Sequence, residues 1–250
     1  MVEQAYISSI EHWVEVRKLS HASKHDRAEI TKVTKSWRWS VIRPHSPQER
    51  DSMYSRVRQI YTYSALPLSK MLTDAGTPHN LEDVCRAFVV EGQSSPCAVI
   101  VTLNPSRTTD SPLSRPMAPP RFMADSVANA ITAMKQHNVP KIVVMQALGV
   151  GDSFPNMSVW MRSVLHWTYM KHSYDDHDLV DEEIKLSGIN YVLPRPPWLT
   201  NGRARPVRMF GNTGEGIGNL ATVSRKSVAD FLLDACEKSD WDRSTPVIAS

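Results

Sequence analysis

Hydrophobic and polar positions follow two regimes along this chain. From Leu66 onward, uninterrupted apolar runs alternate with stripes at helical spacing. The runs CAVIVTL (Cys97 to Leu103), KIVVM (Lys141 to Met145) and INYVLPR (Ile189 to Arg195) are rich in β-branched residues. Such runs suit strands buried on both faces, as in a parallel sheet. Between them, Leu81, Val84, Cys85 and Phe88 form one stripe, headed by Asn80 as cap with Asp83 three residues on. Val127, Ile131 and Met134 predict a helix over Asp125 to Gln136. Met161, Val164, Leu165 and Thr168 predict another over Met157 to Lys171. A third runs from Asp178 to Leu186, with Val180 and Ile184 inward and Gly188 just past its end. Ser224 caps a last helix with Val228, Phe231, Leu232 and Ala235 on its face, and TPVIAS offers a final short strand. The alternation predicts an α/β fold: a Rossmann-like parallel sheet flanked by helices, with the three apolar runs as adjacent or near-adjacent parallel strands.

The stretch before Leu66 differs. It is polar, basic and rich in Ser, His and Arg, and the first glycine of the chain is Gly76. Helical stripes recur at Ile7, Ile10 and Val14, and again at Met53, Val57, Ile60 and Tyr61; Trp39 to Arg43 reads as a short strand cut off by Pro44. The chain therefore divides into an atypical N-terminal segment, residues 1–65, and a Rossmann-like domain, residues 66–250.

Composition narrows the picture by exclusion. A net charge of +3 is too mild to argue for nucleic acid. No run approaches the length needed to span a bilayer, and MVEQAYISSIEHW has no basic stretch leading into an apolar one. The expected compartment is the cytosol. Three widely spaced cysteines, Cys85, Cys97 and Cys236, signal neither a disulfide framework nor a zinc site, and no metal is expected. Cys85 and Cys97 read as core thiols.

In a parallel sheet, ligands bind beyond the carboxyl ends of the strands. That rule selects Asn104 and Pro105 after the first run, Gln146, Ala147 and Leu148 after the second, and Pro194 to Trp198 after the third. A denser polar cluster, Tyr174, Asp175, Asp176, His177 and Asp178, stands at the predicted entrance of the third helix. A histidine flanked by carboxylates can serve as acid or base; carboxylates at a helix start are equally expected as caps. Trp160, Trp167 and Trp198 could wall a pocket for a flat ligand or pack in the core, whereas His166 and His172 read as surface or packing residues.

Three segments resemble one family. VPKIVVMQALGVGDS (Val139 to Ser153), SGINYVLPRPPWLTNG (Ser187 to Gly202) and SRKSVADFLLDACEKSDWDRSTPVI (Ser224 to Ile248) are similar, in order and spacing, to segments of the atypical short-chain dehydrogenases/reductases of the NmrA-like NAD(P)-binding kind. DHDLVDEEIKLSG (Asp176 to Gly188) resembles the small oxidoreductases of fungal aromatic polyketide pathways, of the aflatoxin and sterigmatocystin type. The resemblance implies NADP(H) or NAD(H) as cofactor and a small aromatic substrate. It places Leu103, Asn104, Gln146, Leu148 and Pro194 on the nicotinamide side and Asp74 near the adenosine. It implies proton handling by His177, with Asp176, Asp178 and Tyr174 beside it.

The departures are specific. The family's first strand leads into a glycine-rich turn that lets the pyrophosphate approach the backbone, and nothing before Gly76 can make that turn. No tyrosine has a lysine four residues on, so the usual Tyr-x-x-x-Lys acid is missing. Gly211, Gly214, Gly216 and Gly218 mimic a glycine fingerprint, but their segment reaches its helix only after Ser224. It reads as a hairpin or flexible loop near the substrate mouth. Two functions follow: an oxidoreductase moving hydride, or a non-redox protein of the same fold, such as a dinucleotide sensor, a pathway accessory protein, or an acid–base ring-opening or isomerising enzyme. The retained strand ends favour the first, and the missing glycines favour the second.

Overall fold

A computed structural model describes the backbone of Ser40–Ile42 and residues 77–89, 96–105 and 113–250. A four-stranded sheet runs in the order β1 (Ser40–Ile42), β2 (Ala98–Val101), β3 (Lys141–Val144) and β4 (Asn190–Val192). β2, β3 and β4 are parallel neighbours, with Val99 opposite Ile142 and Ile142 opposite Tyr191, as the three apolar runs predict. β1 joins the β2 edge antiparallel, where the WRWSVIRP pattern places a strand.

Alternation along the buried strands divides the core in two. Val99, Val101, Ile142 and Val144 face one layer, formed by α1 (Leu81–Phe88), α2 (Phe122–Gln136) and α4 (Met170–Leu186). Ile100, Val143 and Val192 face the other, filled by Val228, Phe231 and Leu232 of α5 (Arg225–Glu237) together with Ile248. Successive side chains of a strand point to opposite faces, so only a run apolar at every position can bury both.

Beyond β4 the chain stays in the sheet. Leu193 N–H donates to Ser244 O at 3.0 Å and Arg195 N–H to Pro246 O at 2.8 Å, so residues 244–247 lie along this edge. Two small pairs complete the fold: β5 (Trp198–Thr200) parallel to β7 (Thr222–Ser224), and β6 (Arg208–Met209) antiparallel to β8 (Ile248–Ala249).

The helix ends follow their sequence signals in most cases. Asn80 accepts from the amides of Glu82 and Asp83, Ser224 accepts from Ser227 N–H, and Gly188 (φ 78°) follows the end of α4 in the left-handed region. Three expectations are corrected. The helix predicted over Met157 to Lys171 stops at Trp167 (α3, Val159–Trp167), because Thr168 turns extended and its hydroxyl accepts the N–H of Met170. α4 then starts at Met170 instead of Asp178, so the acidic-histidine cluster lies inside a helix and not at its entrance. Cys97 is exposed just ahead of β2, while Cys85 packs partly against the core. No described helix is long and apolar enough to cross a membrane.

Candidate functional site

The parallel ladder continues past β3 and aligns the strand ends. Met145 N–H donates to Val101 O, Gln146 N–H to Pro194 O at 2.8 Å, and Leu148 N–H to Pro196 O at 3.0 Å. Leu103, Gln146, Leu148 and Pro194 thus come to one end of the sheet, with half-buried Asn104 following Leu103. Asp74 lies outside the described residues.

α4 crosses this end with His177 turned toward Gln146 and Tyr174 toward Leu148. The carboxamide Oε1 of Gln146 meets His177 Nδ1 in a short hydrogen bond between two buried side chains. An amide oxygen only accepts, so in this pairing Nδ1 carries the proton. Among the described residues the Gln146 Nε2 has no hydrogen-bond partner, although Gln146 is 2% exposed. The ring of Tyr174 stands edge-on to His177, 6.2 Å between centroids, and its hydroxyl donates to Leu148 O at 3.2 Å.

The loop after β3 is held from several sides. Gly149 has φ +100°, and a Cβ there would overlap Met157 Cε at 1.8 Å. Gly149 N–H donates to Ser153 Oγ, which itself donates to Val150 O. Gly151 N–H donates to Asp178 Oδ1 at 2.8 Å. Burial pushes the Asp178 carboxyl above its ordinary range; this amide bond works the other way, while Asp181 and Asp175 add to the rise. Beneath the loop, the fully buried Arg195 pairs with Asp181 at 2.8 Å and donates to Asn212 O at 2.9 Å. Lys185 bonds the other Asp181 oxygen, and Asp152 lies within ion-pair range of both cations.

Residues 73–239 match the model of a family described as NAD(P)H-binding. The chain belongs to this family. No curated protein matches its sequence. ChuY from Escherichia coli O157:H7, described as an anaerobillin reductase, superposes with a TM-score of 0.51 at 14% identity, over 70% of this chain and 72% of its own. A short-chain dehydrogenase/reductase from Veillonella parvula DSM 2008, solved in complex with NADP, gives 0.52 at 16% identity, over 79% and 88%. At these identities the likeness is one of fold.

The strand ends of this member of the NAD(P)H-binding family carry a feature that suits a ligand. A buried amide donor without a partner, at the carboxyl end of a central parallel strand, is complementary to an acceptor oxygen. The helix end nearby is already filled. Asp176, buried on α4, accepts from Met123 N–H at 2.7 Å and Ala124 N–H at 3.0 Å in the first turn of α2. Arg121, which precedes α2 at φ 61°, supplies no side-chain cap of its own.

The tryptophans divide. Trp160 stacks on Trp198 at 6.0 Å and 8°, and Trp198 packs with Tyr174 on a small cluster around Met157, Met161 and Leu165. Trp167 is exposed and stands apart from that stack. The glycine-rich segment is not a hairpin. β6 pairs with β8; Gly214 is buried, and a Cβ on it would press on Val247 and Leu148. Asn156 holds Thr213 O, and Asn212 Oδ1 accepts Thr245 N–H.

Sequence reasoning finds Gln146 by position. It misses Arg195 as a buried anchor and Asp176 as a cap in trans. Arg195 carries a local signal, a lone charge directly after an apolar run, but its partners lie 14 and 17 residues away.

Proposed function

We propose that this chain is an oxidoreductase of the atypical short-chain dehydrogenase/reductase, NmrA-like kind, using NADP(H) or NAD(H) on a small aromatic metabolite. Fungal secondary metabolism of the mycotoxin type is its setting, and the cytosol its place. The observation that carries the reading is the alignment of Leu103, Gln146, Leu148 and Pro194 at one end of the sheet, beneath Tyr174 and His177. The nicotinamide supplies or takes up hydride when it is bound. Leu103, Asn104 and Pro194 form the wall on its side, and Gln146 offers the donor. Asp74 falls to the adenosine side. Tyr174 is the phenol of the site, its hydroxyl donating to Leu148 O and turning to the substrate when that bond is exchanged, and His177 lies behind it. Asp176 and Asp178, engaged with the amides of α2 and Gly151, hold the site's frame. The Trp160–Trp198 stack beside Tyr174 supports a flat substrate. That a reductase such as ChuY uses a similar fold is compatible with the reading and no more specific than the fold.

One sequence feature favours a non-redox protein instead: no glycine precedes Gly76 to admit the pyrophosphate. Titration with NADPH and NADH, by fluorescence and calorimetry, separates the two. The expected result is saturable binding at least tenfold weaker than in a relative with the glycine turn, the factor that about 1.4 kcal/mol of lost contact produces. Binding of neither dinucleotide selects the non-redox alternative. Submicromolar NADPH affinity refutes the argument from the missing glycines.

A further inference from the structure

We infer that the Nε2–H of Gln146 is the ligand-contacting donor of this site, taking a carbonyl oxygen of the bound ligand, and that His177 is a positioning residue acting through it. The inference rests on the strand-end reading of the preceding subsection and assigns its chemistry to particular atoms.

A carboxamide has two opposite edges, one accepting and one donating, and rotation of its terminal bond exchanges them. At Gln146 the choice is made by a buried neighbour. The Oε1 faces His177 Nδ1, so the amide hydrogens point the other way. That second edge is fully buried and, among the described residues, without a partner. A buried donor left unpaired destabilises the fold, and folded chains leave few of them. Gln146 bears this cost at the carboxyl end of β3, the central parallel strand of the three, where its own N–H is already spent on Pro194 O. A ligand acceptor removes the cost.

The acceptor's chemistry follows from the donor. The amide is neutral, so it suits a neutral carbonyl oxygen, and the bond strengthens if charge builds on that oxygen during reduction. Two sources share this chemistry: the carboxamide of a nicotinamide ring and the keto group of a substrate. His177 is suited to orienting the amide and less to proton transfer. Its Nδ1 proton is committed to Oε1, and the ring is buried edge-on to Tyr174.

Four variants test this: Gln146→Glu, Gln146→Met, His177→Asn and His177→Ala. Glutamate keeps the oxygen that faces His177 and loses the donor; asparagine offers an N–H close to the place of Nδ1 but cannot titrate. The readouts are NADPH titration, NADPH-driven reduction of phenanthrenequinone across pH, and the thermal midpoint. Gln146→Glu and Gln146→Met should lose at least tenfold, and Gln146→Glu should keep a near-native midpoint. A loss in NADPH affinity assigns the carbonyl to the nicotinamide. A loss in kcat/KM at unchanged NADPH affinity assigns it to the substrate. His177→Asn should recover at least tenfold of what His177→Ala loses, with an unshifted pH profile.

Wild-type behaviour of Gln146→Glu overturns the proposal, and so does His177→Asn failing as badly as His177→Ala. A ligand-free readout stands beside these. The ring ¹⁵N spectrum should show His177 protonated on Nδ1; a neutral ring protonated on Nε2 alone would mean that the amide faces the other way and overturns the assignment. Wild-type protein that binds neither dinucleotide sinks the oxidoreductase reading and the ligand proposed here with it, a result distinct from a loss confined to the variants.

Discussion

Replacing Asp176 with alanine should destabilise the fold by about 3 kcal/mol. Its carboxylate accepts two amides, Met123 N–H at 2.7 Å and Ala124 N–H at 3.0 Å, in a buried place with no side-chain cap from Arg121. A hydrogen bond to a charged group contributes about 1.5–3 kcal/mol net. Two at the lower bound give about 3 kcal/mol, and the negative charge at a helix N-terminus adds about 0.3–1 kcal/mol. Water entering the vacated space would return part of this, so about 3 kcal/mol is the working figure. For a chain of this size about 2–4 °C accompanies each kcal/mol, which puts the midpoint about 6–12 °C lower. Urea unfolding of wild type, Asp176→Ala and Asp176→Asn measures it. Asparagine should fall between, because its oxygen can serve one amide while its NH₂ opposes the other. A change under about 0.5 kcal/mol in Asp176→Ala would refute the capping argument. Lost turnover at unchanged stability would return Asp176 to a catalytic role.

Two further outcomes are expected. Burial raises the Asp178 carboxyl above its unfolded value, so folding favours the protonated form; the advantage is full below the ordinary carboxylate range and is lost as pH rises through the folded pKa. Asp178→Asn keeps an acceptor for Gly151 N–H and should therefore gain stability over wild type at neutral pH but not at strongly acidic pH, as thermal midpoints across pH would show. Arg195→Met should cost about 3 kcal/mol in chemical denaturation, the low end for breaking a buried pair, because Lys185 still neutralises Asp181; a stabilised variant would contradict this.

How much of the molecule is legible in the sequence depends on what each residue packs against. The parallel strands are readable because a segment buried on both faces must be apolar at every position, and AVIV and KIVV meet that demand. Caps that act within a few residues, Asn80 and Ser224, are readable for the same local reason. α4 is not. MKHSYDDHD has few apolar positions, so it passes for a solvated approach to a helix starting at Asp178. Yet Asp176 and His177 are buried there by satisfying polar groups of α2 and β3's end. Hydrophobic periodicity is blind to a helix face buried through hydrogen bonds. The break at Thr168 is hidden too, since a threonine on an apolar face fits the stripe until its hydroxyl takes the amide of Met170. The strand-end positions are legible from the rule for parallel sheets alone, but the direction in which Gln146 presents its amide depends on His177, 31 residues away.

The outer edge of β4 is closed by residues 244–247, which bond Leu193 and Arg195 in parallel with them. During synthesis, at roughly 5–20 residues per second, the segment that carries Pro194 and Arg195 leaves the ribosome seconds before the stretch that covers it. For that interval β4 presents an open row of amides and carbonyls to any other nascent chain. The site's own supporting strand is thus open to mispairing until residues 244–247 are made.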